Sequence, residues 1–424
     1  MAINRRQMMN YVAKTSAFAL FPKLSSAAIS ASKRKRRVVI IGGGFAGATA
    51  AKYIRMWASD IEVVLIEKQA QFISCPQSNL VLSGNRTIQQ LSHDYHGLTQ
   101  HHGVNVVQAN AVGIDTDAKK VRLDDGSDVD YERLILAPGV DFIYDALPMM
   151  TTEVIAKKIP HAWKAGAQTT LLYQQLKAMR QGGKVVMTIP PTPYKCPPGP
   201  YERACQIALF LQQHNPTAKL IILDANSDIV SKKALFKGVW ENQYSSLIDY
   251  YPSNAIETID VKSLTVESVF DTIQADVLNV IPPQRAGKVA ELADVISADQ
   301  HWCEVDFLSY ESTRVPHVHV IGDAVASTLP KSGHIANVQA KVCAAAVIAL
   351  MHELRVEAEP VFGNTCYSFT DATMAGHVAA VFRYDKEEKK MAPMPGGGST
   401  ATPSQLDGNF ADAWAKNIWS DILN

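Results

Sequence analysis

Gly42, Gly44 and Gly47 stand in "RRVVIIGGGFAGATAAKYIRMWASDIEVVLIEK", behind an apolar run at 38–41 and ahead of a helix-forming stretch. Glycines at that spacing permit a tight turn and let the backbone approach a pyrophosphate, whose charge the following helix N-terminus stabilises. A second apolar run at 62–66 ends on Glu67, where an acid can hold ribose hydroxyls. Strand, loop, helix and acid together predict a dinucleotide site. Two further segments make that dinucleotide FAD rather than NAD. "YERLILAPGVD" predicts a strand ending in Ala137-Pro138-Gly139, the kind of segment that returns the chain in flavoproteins. "VPHVHVIGDAV" predicts another, ending in Gly322-Asp323 before a helix, where the acid can hydrogen-bond a flavin's ribityl chain.

The same plan occurs a second time with a different loop. "GGKVVMTIP" reads as a strand, "YERACQIALFLQQH" as a helix and "AKLIILDAN" as a strand ending on Asp224. Between strand and helix, however, Pro190, Pro191, Pro193, Pro197, Pro198 and Pro200 surround Cys196. Each proline removes a backbone N–H where phosphate oxygens would need donors, and its ring fills space that glycine leaves open. A nicotinamide dinucleotide is not expected to fit there.

These elements must be positioned by a chain of 424 residues, 47% hydrophobic and 19% charged, which is an ordinary soluble composition. The expected fold is α/β, with two nested doubly wound units and a C-terminal α+β region. The first unit is expected over 36–150 and, after the interruption, 296–345; the second over 151–295; the third portion over 346–424. In the last stretch Phe410, Trp414, Ile418 and Ile422 repeat every four residues, predicting one apolar helical stripe that packs inward.

Lys+Arg and Asp+Glu both total 41, a balance that argues against a nucleic-acid surface despite the basic run at 33–37. Residues 1–31 have paired Arg5 and Arg6, a short apolar stretch and then small residues, the layout of a twin-arginine export signal. That predicts a periplasmic protein that acquires its cofactor before export, without a membrane span. Cys75, Cys196, Cys205, Cys303, Cys343 and Cys366 show neither metal-site spacing, nor C-x-x-C, nor the C-x-x-C-H of covalent haem. Cys205 and Cys343 fall in apolar helical stretches and read as core residues, while Cys303 has no assignment. His93, His96, His101 and His102 read as a surface helix and loop rather than a metal site.

The motifs "SCPQSNLVLSG", "PHAWKAGAQT", "CPPGPYER", "NVIPPQRAGKVA", "PKSGHIANVQAKV" and "NTCYS", with the glycine loop and "VIGDA", run through nearly all of the chain after 31. Together they resemble the flavoprotein subunit of flavocytochrome c sulfide dehydrogenase, within the glutathione-reductase-type group of FAD-dependent disulfide oxidoreductases. The resemblance implies that Cys196 and Cys366 form a redox-active disulfide beside the flavin and that Glu202 is an acid/base near it. It implies that Cys75 bonds covalently to FAD. It further implies sulfide as substrate, since a disulfide is an electrophile for hydrosulfide, and a c-type cytochrome subunit as partner. Two rival readings are a sulfide:quinone oxidoreductase, which would use the C-terminal stripe for membrane attachment, and a flavoprotein subunit without sulfide turnover in another thiol pathway.

Overall fold

The computed structural model describes residues 36–424 apart from 146 and 298–300. The signal-like layout of 1–31 therefore lies outside the described residues. Two parallel sheets dominate. The first orders its strands Val318–Val320, Arg133–Leu136, Arg37–Ile41, Glu62–Glu67 and Asn105–Gln108, all parallel. Their sequences, "RVVII", "EVVLIE" and "RLIL", are near-continuous apolar runs, as strands covered on both faces require. The helix Phe45–Trp57 follows the first strand and buries Ala46, Ala48, Ala50, Ala51 and Ile54. Its small side chains let the helix Gly333–Met351 lie along it. That second helix is long and apolar enough to cross a membrane, but Ala340, Cys343, Ala344 and Val347 on it are fully buried in the core. It continues past residue 346, so the expected start of the third portion falls within a helix of the first unit.

The second sheet orders Ile248–Tyr251, Lys219–Asp224, Lys184–Ile189 and Val277–Val280, again all parallel. Each unit carries a three-stranded antiparallel insert, at 111–130 in the first and 256–274 in the second. A two-stranded ladder, Val140–Phe142 against Gln284–Ala286, marks where the chain leaves the first unit and returns. The C-terminal region pairs Val361–Phe369 with Ala375–Asp385 in a long antiparallel hairpin. The fold is thus α/β with a C-terminal α+β region.

The chain ends in the helix Gln405–Leu423, capped at its start by the Ser404 hydroxyl, which accepts from the Asp407 N–H. Its last carbonyls, Ser420 and Asp421, accept from the buried Lys52 ammonium, a favourable charge at a helix C-terminus. Tyr53, Asn337 and Lys341 all bind the Asp421 carboxylate, which staples the helix to the first unit. The expected stripe departs at one of its four residues; Trp414 is partly buried against the core. Ile418 and Ile422 are buried together with Ala411 and Ala415, but Phe410 is 49% exposed. A four-residue repeat overshoots a helical turn by about 40° per step, so the stripe winds off the buried face before it reaches Phe410.

Candidate active site

The glycine loop has the three properties a pyrophosphate cradle needs. Gly42 has φ +103, and a Cβ there would lie 2.3 Å from the Ala137 carbonyl oxygen. A Cβ on Gly47 would fall 1.8 Å from the Gly42 oxygen, so helix and strand pack only with glycine there. A Cβ on Gly44, at the helix N-cap, would meet nothing within 4 Å: that side is open for a ligand. Glu67 accepts from the Gly43 N–H at 2.6 Å and the Gln69 N–H at 2.8 Å, which holds its carboxylate at the loop.

The loop opens into a cavity of about 980 Å³. Gly42, Gly44, Glu67, Cys75, Ala137, Gly139, Gly322 and Asp323 line it, as do Cys196, Glu202 and Cys366. Of the named site residues Gly47 alone acts from behind, through packing. The cavity's size suits an extended cofactor, and the open Gly44 cradle suits its phosphates. The N-terminus of Gly333–Met351 also reaches this wall through Ser332, Gly333 and His334, where its dipole favours negative charge. FAD therefore fits the residues present.

At the other end, Cys196 and Cys366 share one wall although they come from the proline loop and the C-terminal hairpin. Both are free thiols in this structure, as are the other four cysteines. The loop is tightly held. The Cys196 N–H donates to the Lys331 carbonyl at 2.8 Å, the Gly199 N–H to the Cys196 carbonyl at 2.8 Å, and the Lys195 N–H to Gln284 Oε1 at 2.9 Å. Cys196 sits at φ +58, a left-handed conformation uncommon for a residue with a side chain. A Cβ on Gly199 would come within 2.9 Å of the Cys196 sulfur, so this glycine makes room for it. Burial, reinforced by the charges of Glu202 and Cys366, pushes the Cys196 thiol up to about 12.

Glu202 ties three segments together. Its Oε2 accepts from Asn79 Nδ2 at 2.9 Å and its Oε1 from the Phe369 N–H at 2.8 Å. Burial raises its carboxyl above the usual range despite those donors. Asp323 is likewise raised by burial, with Lys195 and Lys331 opposing.

Besides Lys68, Lys164 and Lys288, four further cations line or border the same space, and the sequence reading did not single them out. Lys195 donates to the Cys75 sulfur at 3.0 Å. Arg203 is buried over the Trp163 ring at 4.9 Å and donates to the His161 carbonyl at 2.9 Å and Asn279 Oδ1 at 3.0 Å. Lys232, 5% exposed, donates to the Cys366 carbonyl and the Ser368 hydroxyl, both at 2.8 Å. Lys331 donates to the carbonyls of Asp323 and Val325 and sits 3.7 Å from the Trp302 ring; burial lowers it to about 8. Arg203 and Lys331 lie within the quoted motifs and Lys195 immediately before one of them, and cations in such segments were an available signal. Lys232 lies in "VSKKALF", outside them, and gave none.

The remaining cysteines are structural in placement. Cys205, Cys303 and Cys343 are fully buried. Cys205 accepts from Trp240 Nε1 at 3.3 Å, and Cys303 pairs through its backbone with Ala324 and Ala326. The histidines scatter: the His93 ring packs on Trp419, and His102 meets the terminal Asn424 carbonyl. Among the described residues no group of three His, Cys, Asp or Glu is placed to hold a metal ion.

In the second unit the place of a nucleotide-binding acid is filled from within. Asp224 is fully buried and accepts from the Tyr201 hydroxyl at 2.8 Å, the Tyr250 hydroxyl at 2.9 Å, and both the Asn226 N–H and side-chain amide. Asn226 also binds the Pro190 carbonyl and the Thr192 N–H, locking the proline loop over the strand ends.

Two nested dinucleotide-type units, an open glycine cradle and two thiols on one cavity wall define a flavoprotein of the disulfide-oxidoreductase class. Comparison with known proteins gives the finer assignment. Residues 36–171 match the pyridine nucleotide-disulphide oxidoreductase family model, 169–282 the central part of the sulfide dehydrogenase [flavocytochrome c] flavoprotein chain, and 358–423 the flavocytochrome c sulphide dehydrogenase flavin-binding model. The Chlorobaculum thiosulfatiphilum sulfide dehydrogenase [flavocytochrome c] flavoprotein chain is 50% identical over 40 residues, which is 9% of this chain and 83% of that sequence. The chain belongs to the flavocytochrome c sulfide dehydrogenase flavoprotein family. It is also similar to the mitochondrial sulfide:quinone oxidoreductase of Mus musculus, 24% identical over 75% of this chain and 72% of that one. In fold it resembles the sulfide:quinone oxidoreductase of Aquifex aeolicus, with a TM-score of 0.74, 18% identity and 92% of each chain covered. The NAD-dependent persulfide reductase of A. fulgidus follows at TM-score 0.61, 14% identity and coverage of 91% and 77%.

Proposed function

We propose that this protein oxidises sulfide, or a closely related small sulfur anion, at Cys196 and Cys366, and passes the electrons through FAD to a c-type cytochrome subunit. One observation carries the reading: two thiols from distant parts of the chain meet on the wall of the flavin-sized cavity, among buried cations. Lys195, Arg203, Lys232 and Lys331 give that wall a positive field that draws in hydrosulfide and offsets part of what burial costs a thiolate. Glu202 and Asp323, raised by burial, oppose the field less than ordinary carboxylates would. In the oxidised pair, hydrosulfide attacks one sulfur, the S–S bond breaks, a persulfide forms on that cysteine and the other leaves as thiolate. Glu202, whose carboxyl burial raises above the usual range, is suited to give or take a proton at the pair. A bound flavin supplies the change from a two-electron donor to one-electron acceptors. Gly42, Gly44, Glu67, Ala137, Gly139, Gly322 and Asp323 would hold it, with Gly47 behind the loop, and Cys75 would link it covalently.

In this reading residues 36–150 and 296–345, with the rest of the helix that runs to Met351, form the FAD unit, 151–295 the unit carrying the cysteine loop, and the remainder to 424 the closing region. The mature protein works in the periplasm after twin-arginine export directed by the 1–31 segment. A membrane quinone is the competing acceptor, favoured by the likeness to the Mus musculus enzyme. Against it, Ala411, Ala415, Ile418 and Ile422 of the C-terminal helix are buried inside the protein, which leaves Leu406 and Phe410 near its start as its exposed large apolar residues. Purification from the periplasm with its natural partner, followed by a visible spectrum with and without sulfide, tests the proposal. Co-purifying haem that sulfide reduces supports it; a protein found only with membranes, reducing quinone and no cytochrome, overturns it.

A further inference from the structure

Electron transfer makes no use of the contact between Lys195 and Cys75. The Lys195 ammonium donates to the Cys75 sulfur at 3.0 Å and to the Trp163 carbonyl at 3.4 Å, and both residues line the cavity. Each is fixed by its backbone. Lys195 is anchored by its own N–H on Gln284 and by the next N–H on the Lys331 carbonyl. Cys75 opens a tight turn in which the Ser78 N–H donates to its carbonyl at 3.0 Å, beside the Ser74 hydroxyl bound to the Pro76 carbonyl. A long, flexible side chain is thereby aimed at one sulfur.

We propose that Lys195 activates Cys75 as the nucleophile that bonds to the flavin, so that this chain catalyses its own covalent flavin attachment. This rests on the reading of Cys75 as the linking cysteine. A free thiol is a poor nucleophile at neutral pH, and a neighbouring cation is the usual means of making it a thiolate. Burial works against ionisation of Cys75, yet the Lys195 charge and hydrogen bond bring the thiol below its ordinary value. Burial likewise opposes the Lys195 ammonium, and the charges of Cys75 and Asp323 more than restore it. The other groups facing the pair are Asp323, which opposes the thiolate, Cys196 beside Lys195, and the Arg203 and His161 side chains on the adjoining wall.

The step balances. The Cys75 S–H bond and one C–H bond of the flavin 8α-methyl break, and a C–S bond forms. The two hydrogens, as two protons and two electrons, remain on the ring, which is thus reduced. Two one-electron haem acceptors, or dioxygen, then oxidise it. Lys195 immediately precedes Cys196, so one loop would both install the flavin and deliver electrons to it.

The test uses the full chain purified from flavin-limited cells, supplied with FAD, denatured in acid at intervals and scored for flavin fixed to the protein. Lys195→Met should still bind FAD but attach it at least about tenfold more slowly at neutral pH, and gain rate as pH rises to about 9 and beyond, since burial alone holds the Cys75 thiol up. Lys195→Arg, which keeps the charge, should attach within a few-fold of the parent chain. Attachment by the parent chain should level off at a lower pH than attachment by Lys195→Met, because the Lys195 charge and hydrogen bond lower the Cys75 thiol. Attachment by Lys195→Met at the parent rate overturns the proposal. If that variant does not fold, a parent rate that is still climbing steeply through about pH 9, the range of an unassisted thiol, overturns it instead. A parent chain that binds FAD and never fixes it removes the covalent reading itself, a result distinct from both.

Discussion

Glu67 and Asp224 end equivalent strands of two units built to one plan, and their carboxylates have opposite fates. Glu67 accepts from two backbone N–H groups at the edge of the cavity, next to a glycine loop whose Gly44 faces open space. Asp224 is fully buried and saturated by two tyrosine hydroxyls and both Asn226 donors, under a loop of six prolines. The first unit keeps unsatisfied space for a dinucleotide; the second has turned the same space inward. The parallel sheet is the constant part, since its apolar strands are fixed by burial on both faces. The loop and the acid's partners are free to change, and they decide what binds.

The largest effect that tests this contrast is at the cysteines. Cys196→Ser and Cys366→Ser should each keep FAD and lose sulfide-dependent flavin reduction by about a thousandfold or more, as expected for two groups acting as one unit. Cys205→Ser, remote on the buried side of the helix, should change the rate little. Loss of turnover in Cys205→Ser with a silent Cys366→Ser would move the redox pair to Cys196 and Cys205.

The same substitution in the two loops should then separate their roles. Gly44→Ala puts a methyl into the open cradle, so the fold should survive while FAD affinity drops by about tenfold to a hundredfold. Gly199→Ala drives a Cβ to 2.8 Å from the Trp163 ring and 2.9 Å from the Cys196 sulfur. It should leave flavin content near normal and slow sulfide-dependent reduction. Equal flavin loss in both variants would mean that the proline loop still serves a nucleotide.

These contrasts were legible in part. The glycine spacing, Glu67 and the proline loop are local features, and their geometry follows from the residue types themselves. The enclosure of the cations was not legible. Whether Lys232 is buried depends on the C-terminal hairpin that covers it, and Arg203 is enclosed by Asn79, His161 and Asn279 from three separate segments. Asp224 was readable as a strand-end acid, but its saturation by Tyr250, on the neighbouring strand, belongs to the sheet. The helix stripe failed at Phe410 for a simpler reason: a period of four is not the period of the helix.

A smaller effect comes from His161, whose Nδ1 accepts from the Trp163 N–H at 2.9 Å behind the cysteine loop. Burial, with the neighbouring Lys164, Arg203 and Lys195 charges, lowers it from 6.5 to about 3. Between those values the unfolded chain holds a proton that the folded chain does not. Stability should therefore fall as pH drops from 6.5 toward 3, by up to about 1.4 kcal/mol per unit from this group. His161→Asn should flatten that acid limb in denaturant titrations; an unchanged limb would mean the loss of stability arises elsewhere.

The central claim is that the second unit has exchanged a nicotinamide site for a cysteine entry point. Anaerobic stopped-flow mixing of the flavin-loaded protein with sulfide and, separately, with NADH or NADPH tests it most directly, followed at the flavin band. The account requires rapid bleaching by sulfide and none by either nicotinamide. Stoichiometric bleaching by NADH, with no response to sulfide, would contradict it.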